Sequence, residues 1–342
     1  MRLLTELGLS VPIVAAPMAG GPTTPDLVVA ADRAGGIGFL AAGYQSAEAV
    51  KTKIDTVRGE TPNFGVNLFA PNPVPVDRPA YQAYRERLRA DADWLGVALP
   101  EDPVEDDDAW RDKIDLLIDA GVPVVSFTFG VPERAVVDAL RAVGSLLVQT
   151  VTSADEARLA AAAGMDALAV QSSAAGGHWG TLTPRRPPLP QARLEELVAQ
   201  VGSASELPII AAGGIADPTT VRDAIVAGAA VVAVGTVLML SPEAGTSATH
   251  RAALSTGDRP TVVTKAFTGR PARGLRNAFI GRYDDLAPFG YPALHHLTSP
   301  IRRAAASGPG PITGPRQREA TRDPRPLPDP AEFILRQLTA QL

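Results

Sequence analysis

The chain of 342 residues contains no cysteine. Disulfides, thiolate nucleophiles, iron–sulfur clusters and cysteine-bound zinc are therefore excluded from its chemistry. Histidine is scarce, four residues in all, and aromatics make up only 5% of the chain. Hydrophobic residues reach 45%, yet no window approaches about eighteen uninterrupted apolar residues, so no membrane span is expected. Positive charge is not in excess either. The formal net charge is −5, whereas a nucleic-acid partner usually calls for a basic face, and none is expected. The opening stretch MRLLTELGLSVPIVAAPMAG breaks its apolar character with Glu6 and Pro12. A secretory signal is not expected from it, and the expected compartment is the cytoplasm.

What is present is a recurrence of short β-branched runs separated by alanine-rich helical patterns. Strands are expected at PIVAA (12–16), IGFLA (37–41), FGVNL (64–68), PVVSFT (123–128), LLVQTV (146–151), ALAVQ (167–171), PIIAA (208–212) and VVAVG (231–235). The runs are continuously apolar rather than alternating, as parallel strands buried on both faces require. Helix starts follow them. Thr24–Pro25, Asp217–Pro218 and Ser241–Pro242 pair an N-cap with proline at the first helical position, and Ser153 with Glu156 reads as a capping box. Eight such units point to an α/β fold of the (β/α)8 TIM-barrel type. An open doubly wound sheet is the competitor, and eight evenly strong runs favour closure.

Two regions lie outside the repeat. Residues 69–122 are longer than one crossover needs and carry the charged helix AYQAYRERLRADADWLG and the acidic PEDPVEDDDAW. An insertion there sits over the active-site face, as a lid or substrate wall or as a solvated excursion. The barrel is expected to occupy residues 1–256. Residues 257–342 form a C-terminal segment near the site, a Gly/Pro-rich linker with solvated arginines, and a last helix that docks through Phe333, Ile334, Leu335 and Leu338.

The chemistry-bearing signals cluster at strand ends. Gly213, Gly214, Gly235 and Thr236 follow the seventh and eighth strands, where glycine lets backbone N–H groups approach an anion, so they are candidates for cradling a phosphate. Tight turns would use the same glycines. GIGFLA (36–41) matches a dinucleotide fingerprint only by accident, because its glycines open a strand instead of following one. Asn67 and Gln171 close their strands with amides that either meet the mixed polar edge of a heteroaromatic ring or satisfy loop backbone. Beyond Gln171 runs VQSSAAGGHWG (170–180). Gly176 and Gly177 allow close approach to a flat ligand, and His178 projects towards whatever stands over it, as base, acid or anion partner. His250, His295 and His296 read as packing or surface residues, and no pairing of histidine and carboxylate suggests a metal.

Taken in order, APMAGGPTTPDLVVAADRAGGIG, FGVNLF, VVSFTFG, QSSAAGGH, IIAAGGIAD, AVGT and TKAFTGRPARGLRN cover most of residues 11–280, and with them the chain resembles the nitronate monooxygenase family of FMN-dependent (β/α)8 enzymes. The resemblance implies a noncovalent FMN. Its ring would be contacted near Met18, Asn67 and Gln171, with Gly176 and Gly177 close by, and its phosphate would lie against Gly214 and Ala233, Val234, Gly235 and Thr236. It implies that His178 acts as base on neutral nitroalkanes and helps to position nitronates. It also implies the reaction: alkyl nitronates and O2 give carbonyl compounds and nitrite through a flavosemiquinone. The implied partners are a small nitronate or nitroalkane and O2, and a homodimer is allowed. Two departures stand out. Ala174 replaces the family's usual acidic residue, and Trp179 follows His178. An NAD(P)H-dependent FMN reductase acting on enoyl thioesters or quinones is the alternative on this scaffold, and a noncatalytic flavin-binding homologue is another. Dehydrogenases of the IMP type need a catalytic cysteine, which this chain lacks.

Overall fold

A computed structural model describes residue 5 and residues 7–185, 193–257, 259–307, 328–340 and 342. Eight parallel strands close into a barrel: β1 (Ile13–Ala15), β2 (Ile37–Ala41), β3 (Phe64–Phe69), β4 (Val124–Thr128), β5 (Leu146–Val151), β6 (Ala167–Gln171), β8 (Ile209–Ala212) and β9 (Val231–Val234). Closure is made by β9 pairing β1, with Ile13 opposite Val232 and Ala15 opposite Val234. All eight expected strands are thus barrel strands, and the doubly wound alternative is excluded. The uniform apolarity that suggested closure has its reason here. Val14, Ile37, Phe39, Val124, Val148, Ala167, Ile210, Val231 and Ala233 fill the interior, with Leu7 packed against them. Their neighbours along each strand, such as Val66, Val125 and Val170, face the helices.

The helices between these strands are α1 (Pro25–Arg33), α2 (Ala47–Arg58), α3 (Arg78–Leu95), α4 (Trp110–Ala120), α5 (Arg134–Ala142), α6 (Ala154–Ala162), α7 (Leu194–Ala204) and α8 (Pro218–Val226). Thr24 caps α1 through the Leu27 N–H, and Asp217 forms a reciprocal capping box with Thr220 on α8. Gly38 serves packing: a Cβ there would lie 2.5 Å from the Val28 Cα of α1. Two expected helix starts are corrected. Ser241–Pro242 opens no helix; the next one, α9 (Ala248–Thr256), is capped instead by Ser247. Ser153 does cap α6, accepting from the Glu156 N–H, but the Glu156 carboxylate turns away to other donors, so no capping box forms. The pull comes from four donors, two on Thr152 and one each on Thr181 and Leu182, which outcompete the single N–H of the cap.

After the barrel, β10 (Thr261–Thr264) and β11 (Ala272–Leu275) form an antiparallel pair, and β7 (Gly177–His178) adds to its edge. Ala272 pairs with His178 and Arg273 with Gly177. This small sheet ties the C-terminal segment to the loop after β6. The segment continues as α10 (Ala278–Tyr283) and α11 (Ala293–Ser307). Both pack on the insertion helix α3, making a second core in which Tyr81, Tyr84 and Leu88 meet Phe279, Leu294 and Ile301. The Tyr84 hydroxyl donates to the Ala266 carbonyl at 2.6 Å. Asp91, almost fully buried, takes two hydrogen bonds from Arg282 (2.9 and 2.7 Å) and one from Tyr283 Oη (3.0 Å). Asp91→Ala is expected to cost roughly 1–3 kcal/mol, because three charge-assisted bonds vanish and the Tyr283 hydroxyl is left dry. A thermal melt checks this, and an unchanged midpoint refutes it.

The last helix, α12 (Ala331–Thr339), lies against α1 and α8. Leu335 and Leu338 are buried and Ile334 is partly so, whereas Phe333 is 47% exposed, which corrects its expected docking role. At helical spacing Phe333 falls two residues from Leu335 and so faces away from the stripe. The arginine-bearing linker falls largely on residues 308–327, outside the described residues.

Candidate active site

The upper layer of the barrel interior divides into two halves. On the β3–β6 side it is polar. Asn67 Nδ2 donates to Ser126 Oγ (2.9 Å) and Thr128 Oγ1 (3.0 Å), and Thr128 Oγ1 lies 3.2 Å from Thr150 Oγ1. On the opposite side the inward positions are Ala16, Ala212 and Ala233. One half of the mouth therefore offers hydrogen bonds and the other offers space.

The glycine loops converge on the spacious half. A Cβ on Gly213 would sit 2.5 Å from Ser172 Oγ and 2.9 Å from the Ala175 nitrogen. One on Gly214 would lie 3.3 Å from the Ala174 Cβ, one on Gly176 3.0 Å from Thr236 Oγ1, and one on Gly235 3.5 Å from Met18 Sδ. The loops after β6, β8 and β9 approach one another as closely as they do because Gly213, Gly214 and Gly176 carry no side chain, and the β1 loop meets Gly235 at ordinary contact distance. This brings Met18, Gly176, Gly213, Gly214, Gly235 and Thr236 to one patch of the rim, with Ala233 inside the barrel below it, whereas Gly177 pairs with Arg273 at the edge of the small sheet. Val234 differs: its side chain is buried among the helices, so only its backbone faces the rim. At position 174 the side chain is alanine, so no carboxylate reaches the patch from there.

Gln171 is engaged by the neighbouring loop. Its Nε2 donates to the His178 carbonyl (3.2 Å) and its Oε1 accepts from the Gly180 N–H (2.7 Å). Of its two expected readings, the loop-backbone one is what the geometry displays, and its effect is to pin the segment that carries His178.

His178 is half-buried, with Nε2 2.9 Å from Thr268 Oγ1. The Thr268 hydroxyl has one proton and donates it to the Arg270 carbonyl at 3.2 Å. The tautomer with the imidazole proton on Nε2 keeps that bond intact, since Thr268 Oγ1 then accepts from His178 and Nδ1 is left as the acceptor. Burial, and then the cations Arg270 and Arg302, push the His178 pKa down to about 3, so the ring is neutral at ordinary pH.

Around His178 stands an aromatic wall that the sequence motifs did not single out. The Phe129 ring meets it edge-on at 5.6 Å and Tyr291 at 6.0 Å. Phe69 packs on Phe129 at 4.5 Å, and Tyr44 closes the wall, stacked on His295 at 4.0 Å. His295 is thus a packing residue, as expected, but one inside the wall. His296 pairs with Asp106 at 2.8 Å and His250 lies exposed on α9. The backbone here is strained: Phe129 has φ 82° and Tyr44 has φ 65°, a region costly for any residue with a Cβ. Asp108 Oδ1 accepts from the Tyr44 N–H (2.9 Å) while its other oxygen pairs with Lys113 (2.8 Å), so part of the acidic run is structural.

Arg270 is fully buried. Its guanidinium lies 4.0 Å over the Phe129 ring and donates to the carbonyls of Thr181 and Asn72. Arg302 donates to Thr298 Oγ1 and to the His295 carbonyl. Neither arginine has a carboxylate at ion-pair distance among the described residues, so both leave positive potential beside the wall. A cleft of about 370 Å³ opens next to Asn72, bounded by residues 72–75 and 183–185. No three His, Cys, Asp or Glu side chains among the described residues gather at a metal-binding distance. Among those residues, too, no helix is long and apolar enough to cross a membrane.

A closed (β/α)8 barrel with its polar and glycine-lined groups at the C-terminal mouth defines an enzyme scaffold. The chain belongs to the nitronate monooxygenase family, whose profile matches residues 2–314, and is accordingly an oxidoreductase of a flavin-dependent family. It is 38% identical over 311 residues to a probable nitronate monooxygenase of Staphylococcus aureus strain Newman, covering 90% of this chain and 87% of that one. Its fold is similar to that of nitroalkane oxidase from Streptomyces ansochromogenes, with TM-score 0.87 and 38% identity over 100% of this chain and 98% of that one. FabK from Thermotoga maritima is more distant, with TM-score 0.64 and 28% identity over 82% of this chain and 76% of that one.

Of the residues that shape the site, Phe129, Tyr44, Thr268, Arg270 and Tyr291 were not singled out from sequence, and Glu156 was read only as half of a capping box. Thr268 and Arg270 lie in TKAFTGRPARGLRN and Phe129 in VVSFTFG, stretches already noted as wholes. The others are ordinary aromatic or acidic residues until the fold brings them together.

Proposed function

We propose that the protein is an FMN-dependent nitronate monooxygenase that converts alkyl nitronates and O2 to carbonyl compounds and nitrite. The observation that carries the reading is the neutral His178, bonded through Nε2 to Thr268 at 2.9 Å, beside two guanidiniums with no carboxylate at ion-pair distance among the described residues. The cradle formed by Gly176, Gly213, Gly214 and Gly235 suits a phosphate, and the alanine half of the mouth suits a flat ring. When bound, FMN supplies the electron transfer between nitronate and oxygen.

The chain's own residues do the rest. His178 Nδ1 takes the carbon-bound proton of a neutral nitroalkane, and Thr268 holds the ring in the tautomer that permits it. The positive potential from Arg270 and Arg302 favours the nitronate anion over its neutral acid. Phe69, Phe129 and Tyr291 keep bulk water from that face, which strengthens each of these interactions.

A reductase using NAD(P)H is the second reading, compatible with the likeness to FabK. One experiment separates them. The purified yellow protein is mixed anaerobically with propionate 3-nitronate and, separately, with NADPH, and oxygen uptake and nitrite are then followed in air. Nitronate-dependent oxygen uptake with nitrite release is the expected result. Full bleaching of the flavin by NADPH, with no nitrite from the nitronate, would overturn it. Flavin with neither response would point to the noncatalytic homologue.

A further inference from the structure

Glu156 takes no part in the reaction as proposed, yet its carboxylate is fully engaged. It is only 3% exposed at the start of α6. Oε2 accepts from the Thr152 N–H (2.6 Å) and Thr152 Oγ1 (2.9 Å), at the end of β5. Oε1 accepts from Thr181 Oγ1 (2.6 Å) and from the Leu182 N–H (2.8 Å), on the loop just beyond His178. One carboxylate thus spans two segments that no strand ladder joins.

The loop it grips has little slack. Gly180 lies so close to the barrel mouth that a Cβ there would fall 2.7 Å from Thr150 Cγ2. On one side Gln171 holds Gly180 and His178; on the other, Thr181 offers its carbonyl to Arg270 Nη2. Arg270 lies on Phe129, whose edge faces His178. A shift at Thr181 therefore reaches the imidazole by two routes, along the chain and through the arginine.

We propose that Glu156 is a positioning residue for His178: through Thr181 and Leu182 it fixes the height of the histidine loop over the barrel mouth and the placement of the Arg270 fork. The proposal rests on the reading of His178 as the base. The chemistry explains why a carboxylate is needed. Two of the four donors are backbone N–H groups on different segments, and neither can turn to accept. Glutamine would offer one acceptor oxygen and one NH2, so one of those N–H groups would face another donor. Displacements of about 1 Å at a catalytic group are enough to cost up to about 10²-fold in rate.

The test uses Glu156→Gln, Thr181→Val and Thr181→Ser in the full chain with its flavin. Turnover of nitroethane and of ethylnitronate is measured by oxygen uptake, and the His178 ring is titrated by NMR in each variant. Glu156→Gln and Thr181→Val are expected to retain flavin, to lose about tenfold or more in kcat on nitroethane with KM nearly unchanged, and to lose far less on ethylnitronate. In both, the loosened loop admits water and the His178 ring titrates at higher pH. Thr181→Ser keeps the hydroxyl and is expected to behave as wild type. The proposal is overturned if Glu156→Gln and Thr181→Val fold with wild-type kcat and an unmoved His178 titration. It is equally overturned if Thr181→Ser loses as much as Thr181→Val. Should Glu156→Gln not fold, the valine and serine pair decides alone. Should wild type oxidise neither nitro compound, the reading of His178 as base falls, and the NMR titration still decides whether Glu156 positions the ring.

Discussion

His178→Asn is expected to leave the flavin bound and to reduce turnover of neutral nitroalkanes by roughly 10²–10⁴-fold, the range a positioned base contributes. Asparagine preserves a polar group near Thr268 but has no nitrogen lone pair of comparable basicity. Preformed nitronates need no deprotonation, so their turnover is expected to fall far less. The difference between substrates is the informative quantity, read as kcat/KM for nitroethane against ethylnitronate. Equal losses on both would refute the base role and assign His178 to anion binding. Its neighbours make the base role specific. With the Thr268 proton on the Arg270 carbonyl, the histidine donates through Nε2 and presents Nδ1 unprotonated, the tautomer the base role requires.

The depressed pKa carries a sign that can be checked. With the folded-state value near 3 and an ordinary histidine near 6.5, the ring stays neutral through mildly acidic pH. No acid limb from His178 is expected in nitroalkane turnover between about pH 8 and pH 5, where an unperturbed histidine would impose one. For stability, the unfolded chain takes up the proton first as pH falls. The contribution is therefore fully present above about pH 6.5 and is lost as pH falls towards the folded-state value near 3. A titration midpoint for this ring near 6.5 in the folded protein would contradict both statements.

The barrel was legible because its signal is local. Each strand is an apolar run buried on both faces, and each run carries that signature without knowledge of its neighbours. The glycine loops were legible for a similar reason, since Gly213, Gly214 and Gly235 stand immediately after strands. The aromatic wall was not. Phe129, Tyr44 and Tyr291 come from three distant segments, and nothing local distinguishes them from core aromatics. The left-handed backbone of Phe129 is flanked by carbonyls, those of Phe127 and Gly130, that both accept from the distant Gln149 Nε2. Glu156 shows the limit most clearly. Its spacing from Ser153 satisfies a local rule, and the fold overrides that rule by offering Thr181 and Leu182, some twenty-five residues onward. Local grammar finds elements and their ends; it cannot find a contact whose partners are chosen by closure of the barrel.

Gly213→Ala is expected to abolish or severely weaken flavin binding, by about 100-fold or more in Kd, equivalent to about 2.8 kcal/mol. Two effects would add there. At φ 107° a Cβ is strained whatever surrounds it, and this Cβ would also lie 2.5 Å from Ser172 Oγ and 2.9 Å from the Ala175 nitrogen. The loops after β6 and β8 would have to part, and the cradle between them would open. Two further variants separate strain from crowding. Gly228 has a similar φ of 112° with nothing within 4 Å of its Cβ position, so Gly228→Ala is expected to lower stability while flavin is retained. Gly176 has no left-handed φ, but its Cβ would lie 3.0 Å from Thr236 Oγ1, so Gly176→Ala intrudes on the gap with no backbone cost. Flavin content of the purified proteins and fluorescence titration of the apoproteins with FMN give the three values. Weak binding in Gly213→Ala and Gly176→Ala, with normal binding in Gly228→Ala, assigns the phosphate to the gap between these loops. Full flavin occupancy in Gly213→Ala would place the phosphate elsewhere, and the glycines would then serve only the turns they make.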